Sequence, residues 1–224
     1  MIKPPASGAR RLLLIGLAAF ALALVVAGLL LWLRPPASGP VAVTRPAGGD
    51  VPQAAGLVRL PPGSELGGPF QLVDQDGKTV TDASFAGKFM LIYFGFTFCP
   101  DVCPTELQAM ATAIDDLGSP GDMVQPILIS VDPARDTPAQ LKSYVASFHP
   151  RLVGLSGSDE QVAAAAKAYR VYYAKGPVDA DGNYVMDHTS FVYLMGPDGK
   201  LRSVFRAGAS PEVMAAEMEK QLVK

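Results

Sequence analysis

The chain has 224 residues, 49% of them apolar, room for one domain of ordinary size and an appendage. Its formal charge of −2 is segregated: residues 1–34 hold Lys3, Arg10, Arg11 and Arg34 and no acid, so 15 of the 19 basic side chains and all 21 acidic ones follow, a net of −6. An acidic domain argues against nucleic-acid binding, which needs a positive patch to neutralise phosphates.

From Leu12 to Leu33 run 22 residues without a charged or strongly polar side chain. At the helical rise this is about 33 Å, enough to cross a hydrocarbon core of about 30 Å. A cleaved secretory signal has a shorter apolar region and a small-residue cleavage site. Here Trp32 and Arg34 close the run, and Ala37-Ser38-Gly39 is a weak cleavage signal. The expectation is an uncleaved transmembrane anchor over residues 1–34. The positive flank at its start places the N-terminus in the cytoplasm and all that follows outside. Only eleven residues precede the anchor, too few for an Arg/Ser-rich organellar presequence. The expected location is therefore a bacterial inner membrane, with the domain facing the oxidising periplasm. Residues 35–62, rich in Pro, Gly and Ala, read as a semi-extended tether.

Residues 63–224 fit a single α/β domain. Phe70–Val73 and Lys78–Thr81 around Asp76-Gly77 predict a β-hairpin. Phe89–Phe96 (FMLIYFGF) is apolar nearly throughout, as in a strand buried on both faces. Leu107, Met110, Ile114 and Leu117 follow at helical spacing. Pro126–Val131 predicts a second strand, 139–148 a helix, Leu152–Leu155 a short strand and 163–169 an alanine-rich helix. Ser190–Met195 and Leu201–Phe205 around Pro197-Asp198-Gly199-Lys200 predict a second hairpin, and 211–223 a closing amphipathic helix whose Met214 and Met218 are core residues. Strand–helix–strand units followed by a hairpin and a helix imply a mixed sheet with helices on both faces. That is a thioredoxin-like order with an extra N-terminal hairpin. No internal repeat, phosphate-binding Gly loop or GxSxG elbow is found.

The chain's two cysteines, Cys99 and Cys103, lie in GFTFCPDVCPTE between the buried strand and the first helix. Two are too few for a disulfide framework, and a bridge closing so small a loop stabilises by only roughly 2 kcal/mol. Chemistry explains the pair better. At a helix start their Cα atoms can approach ~6 Å, which suits a disulfide or convergence on one ion. Pro104 belongs in the first helical turn, where its missing N–H costs nothing. The cap is then Asp101 or Cys103, and the helix start is expected to stabilise thiolate. Soft thiolates favour copper(I), zinc or iron–sulfur. An iron–sulfur cluster needs more cysteines, and structural zinc with two cysteines recruits two closely spaced histidines. His149 and His188 are 39 residues apart, so copper, content with two or three soft ligands, is the preferred ion. His149, at a predicted helix end, reads as a surface or capping residue. His188, before a hairpin strand expected near the sheet centre, is the favoured third ligand, with Met186 a weaker alternative.

The runs YFGFTFCPDVCPTEL, VDPARDTP and DHTSFVYLMGPDGK resemble the SCO/SenC family of membrane-anchored copper proteins, in order over residues 66–224. That resemblance implies one copper ion held by Cys99, Cys103 and His188. It also implies a role as a metallochaperone in cytochrome c oxidase assembly, with delivery to the dinuclear CuA centre of a copper-bearing subunit and traffic with other periplasmic copper chaperones. One departure is Phe98, where many members carry a histidine, for which altered packing or redox tuning is expected rather than lost binding. Asp132 reads equally as a turn or helix cap or as a residue near the copper site or a partner surface, and Asp136 as the cap of the helix starting near Pro138. The alternative function is a thiol–disulfide oxidoreductase that reduces a copper acceptor's cysteines, with Cys99 and Cys103 as its redox pair. A peroxide-reducing enzyme of the same fold is a third possibility, disfavoured because its resolving cysteine is usually remote.

Overall fold

Strand β3 (Phe89–Gly95) organises the sheet because all seven of its residues are buried, a state that requires cover on both faces. The computed structural model describes residues 56–58, 60–61 and 64–222. The expected anchor and most of the tether lie outside the described residues. Among those described, no helix is long and apolar enough to cross a membrane.

The other strands are β1 (Gln71–Asp74), β2 (Thr79–Thr81), β4 (Val124–Ser130), β5 (Val153–Ser156), β6 (Tyr173–Lys175), β7 (Met186–His188), β8 (Phe191–Met195) and β9 (Leu201–Arg206). Seven of the nine form one sheet in the order β2-β1-β5-β4-β3-β8-β9. The parallel pairs β3–β4 and β4–β5 each need a crossover. These are α1 (Val102–Asp116) and α2 (Pro138–Val145), while α3 (Asp159–Ala168) and α4 (Pro211–Leu222) complete the helices. The sheet is mixed, as expected, and the early hairpin β1–β2 extends it at one edge through Val73 opposite Ser156.

Register decides which helix covers which face. Tyr93, Leu128 and Gly154 are aligned across β3, β4 and β5 and so point to one side. On that side α1 brings Cys103 against Tyr93. At Gly154 an added Cβ would lie 3.0 Å from Val145 and 3.2 Å from Leu141 of α2. Phe94, pointing the other way, meets Tyr169 at the end of α3 and Tyr193 of β8 in ring contacts of 5.4 and 6.1 Å. Helices therefore lie on both faces.

Three expectations change. Strand β8 is not central, since it stands second from the edge between β3 and β9. His188 belongs instead to a separate two-stranded ribbon, β6–β7, in which it pairs with Tyr173. Strands of three residues, separated by a segment containing Pro177 and Gly182, show no legible period. Finally, part of the stretch assigned to the tether is ordered against the domain: Leu57 bridges Phe205 of β9, and Val58 N–H donates to Val204 O at 2.8 Å.

Candidate metal centre

The loop leaving β3 is held by a buried carboxylate. Asp136, 1% exposed, accepts from Thr97 N–H at 3.0 Å, Thr97 Oγ1 at 2.6 Å and Ser130 Oγ at 2.6 Å. Burial pushes its carboxyl up despite those donors. It is not the cap of α2. That cap is Thr137, whose Oγ1 accepts from Gln140 N–H at 3.3 Å. Asp136 instead ties the entry to the cysteine loop to the end of β4.

Beyond Thr97 the chain enters α1, with Asp101 as the N-cap residue but without a side-chain bond. The sulfur of Cys99 takes that place: Cys103 N–H donates to Cys99 Sγ at 3.4 Å. Both cysteines are free thiols, Cys99 half-buried and Cys103 fully buried. Burial reverses the effect expected at the helix start for Cys103, whose thiol is pushed up to about 12 chiefly by desolvation, reinforced by Cys99. In the absence of an ion Cys103 is a thiol, not a thiolate.

The ribbon brings His188 to that thiol. Its Nε2 lies 3.6 Å from Cys103 Sγ, across 85 positions of sequence. Its Nδ1 faces Thr189 O at 3.1 Å. A carbonyl can only accept, so Nδ1 carries the proton and the Nε2 lone pair is free for a metal. Burial also lowers the imidazole's pKa, which keeps the ring neutral. Two donors on one ion, with bond lengths of about 2.0 and 2.3 Å, stand about 3.5–3.7 Å apart, the separation seen here. Among the described residues no three His, Cys, Asp or Glu side chains are already gathered around one point, and Cys99 Sγ is engaged with Cys103 N–H.

His149 is excluded as a ligand by position. It is buried, not a surface residue. Its Nδ1 accepts from Arg151 N–H at 3.1 Å and its Nε2 lies 3.4 Å from Asp115 Oδ1. Asp115 is at the far end of α1, about 18 Å along the axis from Cys103. Met186 is buried within the hydrophobic core.

Asp132 closes a turn, as one of its expected roles requires, and anchors Arg135. Its carbonyl accepts from Arg135 N–H and Asp136 N–H in a turn. Its buried carboxylate accepts from Arg135 Nε at 2.5 Å and Tyr184 OH at 2.8 Å. Arg135 then reaches the ribbon through Nη1, which donates to Tyr184 O at 2.9 Å. Its guanidinium carbon stands 3.6 Å from the Tyr184 ring centroid, 4.6 Å from that of Phe98 and 5.9 Å from that of Phe96. Phe98, half-exposed, is thus one wall of a cation–π stack joining the cysteine loop to the histidine ribbon.

Two contributors were not singled out from sequence. Arg135 was visible only as part of VDPARDTP. Tyr93, fully buried in an otherwise apolar strand, donates from OH to Cys103 Sγ at 3.7 Å. Burial raises its pKa far above the ordinary value, so it remains a donor. The sequence signal was the phenol itself, since a buried tyrosine hydroxyl seeks a partner.

Fold and site together define a thioredoxin-like α/β domain with a helix-start dithiol facing an imidazole. More closely, the SCO1/SenC family model matches residues 59–223, and the chain belongs to that family. It is 49% identical over 142 residues to the Homo sapiens mitochondrial Protein SCO1 homolog, covering 62% of this chain and 47% of that one. It is similar to the structure of Bradyrhizobium japonicum ScoI with copper bound, at 50% identity and a TM-score of 0.64, over 69% of this chain and 98% of that one. It is also similar to BsSco, a member of the Sco family of cytochrome c oxidase assembly proteins in which a disulfide switch was identified. That likeness is 29% identity and a TM-score of 0.57, over 74% of this chain and 98% of that one. The chain spans about half the length of the curated relatives it matches, 47% of the human protein and 59% of the Schizosaccharomyces pombe one.

Proposed function

We propose that this chain is a membrane-anchored copper metallochaperone for cytochrome c oxidase assembly, carrying one copper ion on Cys99, Cys103 and His188. The observation that carries the reading is the convergence, at 3.6 Å, of Cys103 Sγ and the unprotonated Nε2 of a neutral His188 whose Nδ1 carries the proton. Rotation of Cys99 away from its capping bond supplies the third donor. Two sulfurs and one imidazole form a soft set suited to copper. Binding displaces the proton of the Cys103 thiol, so uptake and release are linked to proton exchange. The ion is cargo, and its acceptor is a copper-bearing oxidase subunit with a CuA-type centre or another periplasmic copper chaperone. The apolar run 12–33 would hold the domain on the outer face of a bacterial inner membrane.

Copper stoichiometry and absorption spectra of the full-length chain, wild type and His188→Ala, test the site. One copper per chain and a sharp loss of copper(II) affinity in the variant are expected; undiminished affinity overturns the three-ligand set.

The second reading, a thiol–disulfide oxidoreductase, is favoured by the contact between Cys103 N–H and Cys99 Sγ, which puts the two residues within reach of a bridge. The dithiol would pass two electrons and two protons to an acceptor disulfide, becoming a disulfide as the acceptor becomes a dithiol. Failure of the reduced chain to exchange with an oxidised acceptor removes this role and leaves copper binding intact.

A further inference from the structure

Tyr93 lies mid-way along a strand that reads FMLIYFG, and it is 0% exposed. A phenol so buried carries a desolvation cost that only a partner for its hydroxyl offsets. That partner is Cys103 Sγ, at 3.7 Å, and the Ser190 side chain also interacts with the phenol. The approach depends on Gly95, two residues on and on the same face of β3. A Cβ at Gly95 would stand 2.8 Å from Tyr93 Cε1, closer than Cβ atoms come, and a tight 3.1 Å from Cys103 Sγ. The Tyr93 ring also meets the His188 ring edge-on, 6.0 Å between centroids and 73° between planes. The two sulfurs are therefore unequal: Cys103 is fully buried under a hydroxyl donor, and Cys99 is only half-buried and accepts from Cys103 N–H.

We propose that Tyr93 sets the oxidation-state preference of the site, its O–H withdrawing charge from Cys103 Sγ so that copper(I) is favoured over copper(II). This rests on the copper reading above. A hydrogen bond to a ligating sulfur weakens its donation to the metal, and the more charged ion loses more from that weakening. The same donor favours the reduced sulfur in the copper-free chain, since a disulfide sulfur accepts more weakly. Tyr93 is thus a positioning and tuning residue acting through Cys103. Ser190, whose side chain interacts with the phenol, is the second residue of the test.

The test uses the full-length chain as wild type, Tyr93→Phe and Ser190→Ala. In the first arm, copper-loaded protein is equilibrated with a one-electron ferrocyanide/ferricyanide couple, which supplies or takes the single electron separating copper(I) from copper(II). Tyr93→Phe keeps one copper per chain, its sulfur-to-copper(II) charge-transfer band moves, and its copper(I) preference falls about tenfold, about 59 mV for one electron. Ser190→Ala moves the same readings in the same direction by less, and it carries the test if Tyr93→Phe does not fold. In the second arm, without copper, the thiol–disulfide equilibrium against glutathione shifts about fivefold towards disulfide in Tyr93→Phe, as expected for one lost hydrogen bond. If the wild-type chain takes up no copper, the copper reading falls, and the glutathione arm decides the tyrosine's role. Bands and equilibria within twofold of wild type in both arms overturn the proposal.

Discussion

Replacing Arg135 by Met removes the tie between the cysteine loop and the histidine ribbon while keeping much of the side chain's length and apolar stem. What is lost is specific: the ion pair from Nε to Asp132, the bond from Nη1 to Tyr184 O, and the guanidinium that stacks on Tyr184 and Phe98. Asp132 is 3% exposed and Arg135 20%, so the carboxylate is left without its counter-charge in a nearly dry place. Breaking a buried pair from one side costs about 3–5 kcal/mol. Tyr184 OH still donates to Asp132 at 2.8 Å, and the arginine is partly solvated, so the expected loss lies near or just below the lower end, about 2–3 kcal/mol. For a domain of this size that is a fall in Tm of about 4–12 °C. The only tryptophan, Trp32, lies in the apolar N-terminal run, so unfolding in urea is followed by far-ultraviolet circular dichroism rather than by its fluorescence. A cycle with Asp132→Asn isolates the pair. A single-variant loss under about 1 kcal/mol, or no coupling between the two substitutions, refutes the clamp.

Gly95→Ala places a Cβ against Tyr93 and Cys103 Sγ; a loss of about 1–3 kcal/mol in urea unfolding and fewer than one copper per chain are expected. Glu106 is buried, with Oε1 accepting from Gly208 N–H and Oε2 without a partner, and burial raises its pKa. The folded chain therefore keeps this proton to higher pH than the unfolded chain, and stability falls as pH rises between the two values. Glu106→Gln cannot ionise, so it should gain Tm relative to wild type at neutral pH and lose that gain below about pH 4; an equal difference at both pH values contradicts the assignment. Because burial pushes the Cys103 thiol up to about 12 and each ligating thiol gives up its proton, copper(I) affinity measured by competition should rise at least about tenfold per pH unit between pH 6 and 8, and a pH-independent affinity rules the linkage out.

Local pattern was readable because it repeats within a few residues. The all-apolar run of β3, the helical spacing of Leu107, Met110 and Ile114, and the hairpin β8–β9 with its Asp-Gly turn each follow from burial acting at period 2 or 3.6. The ribbon β6–β7 was not, since three-residue strands hold no period. Nor was the work of Asp136, because a carboxylate just before Thr137-Pro138 looks like a helix cap. Only the fold sets it over Thr97 N–H, 39 positions earlier in the chain.

Residue type and order alone pointed to a soft donor set, two cysteines at a strand-to-helix corner and one candidate imidazole, on an acidic domain. Tertiary structure decided what those donors are like. It placed His188 Nε2 at 3.6 Å from Cys103 Sγ and fixed its tautomer with Thr189 O. It also buried Cys103 deeply enough to reverse the effect expected at the helix start. The physical reason is range. Propensity, capping and donor chemistry act over one or two turns of chain, whereas desolvation and hydrogen bonding between β3, α1 and the ribbon depend on register across the whole sheet.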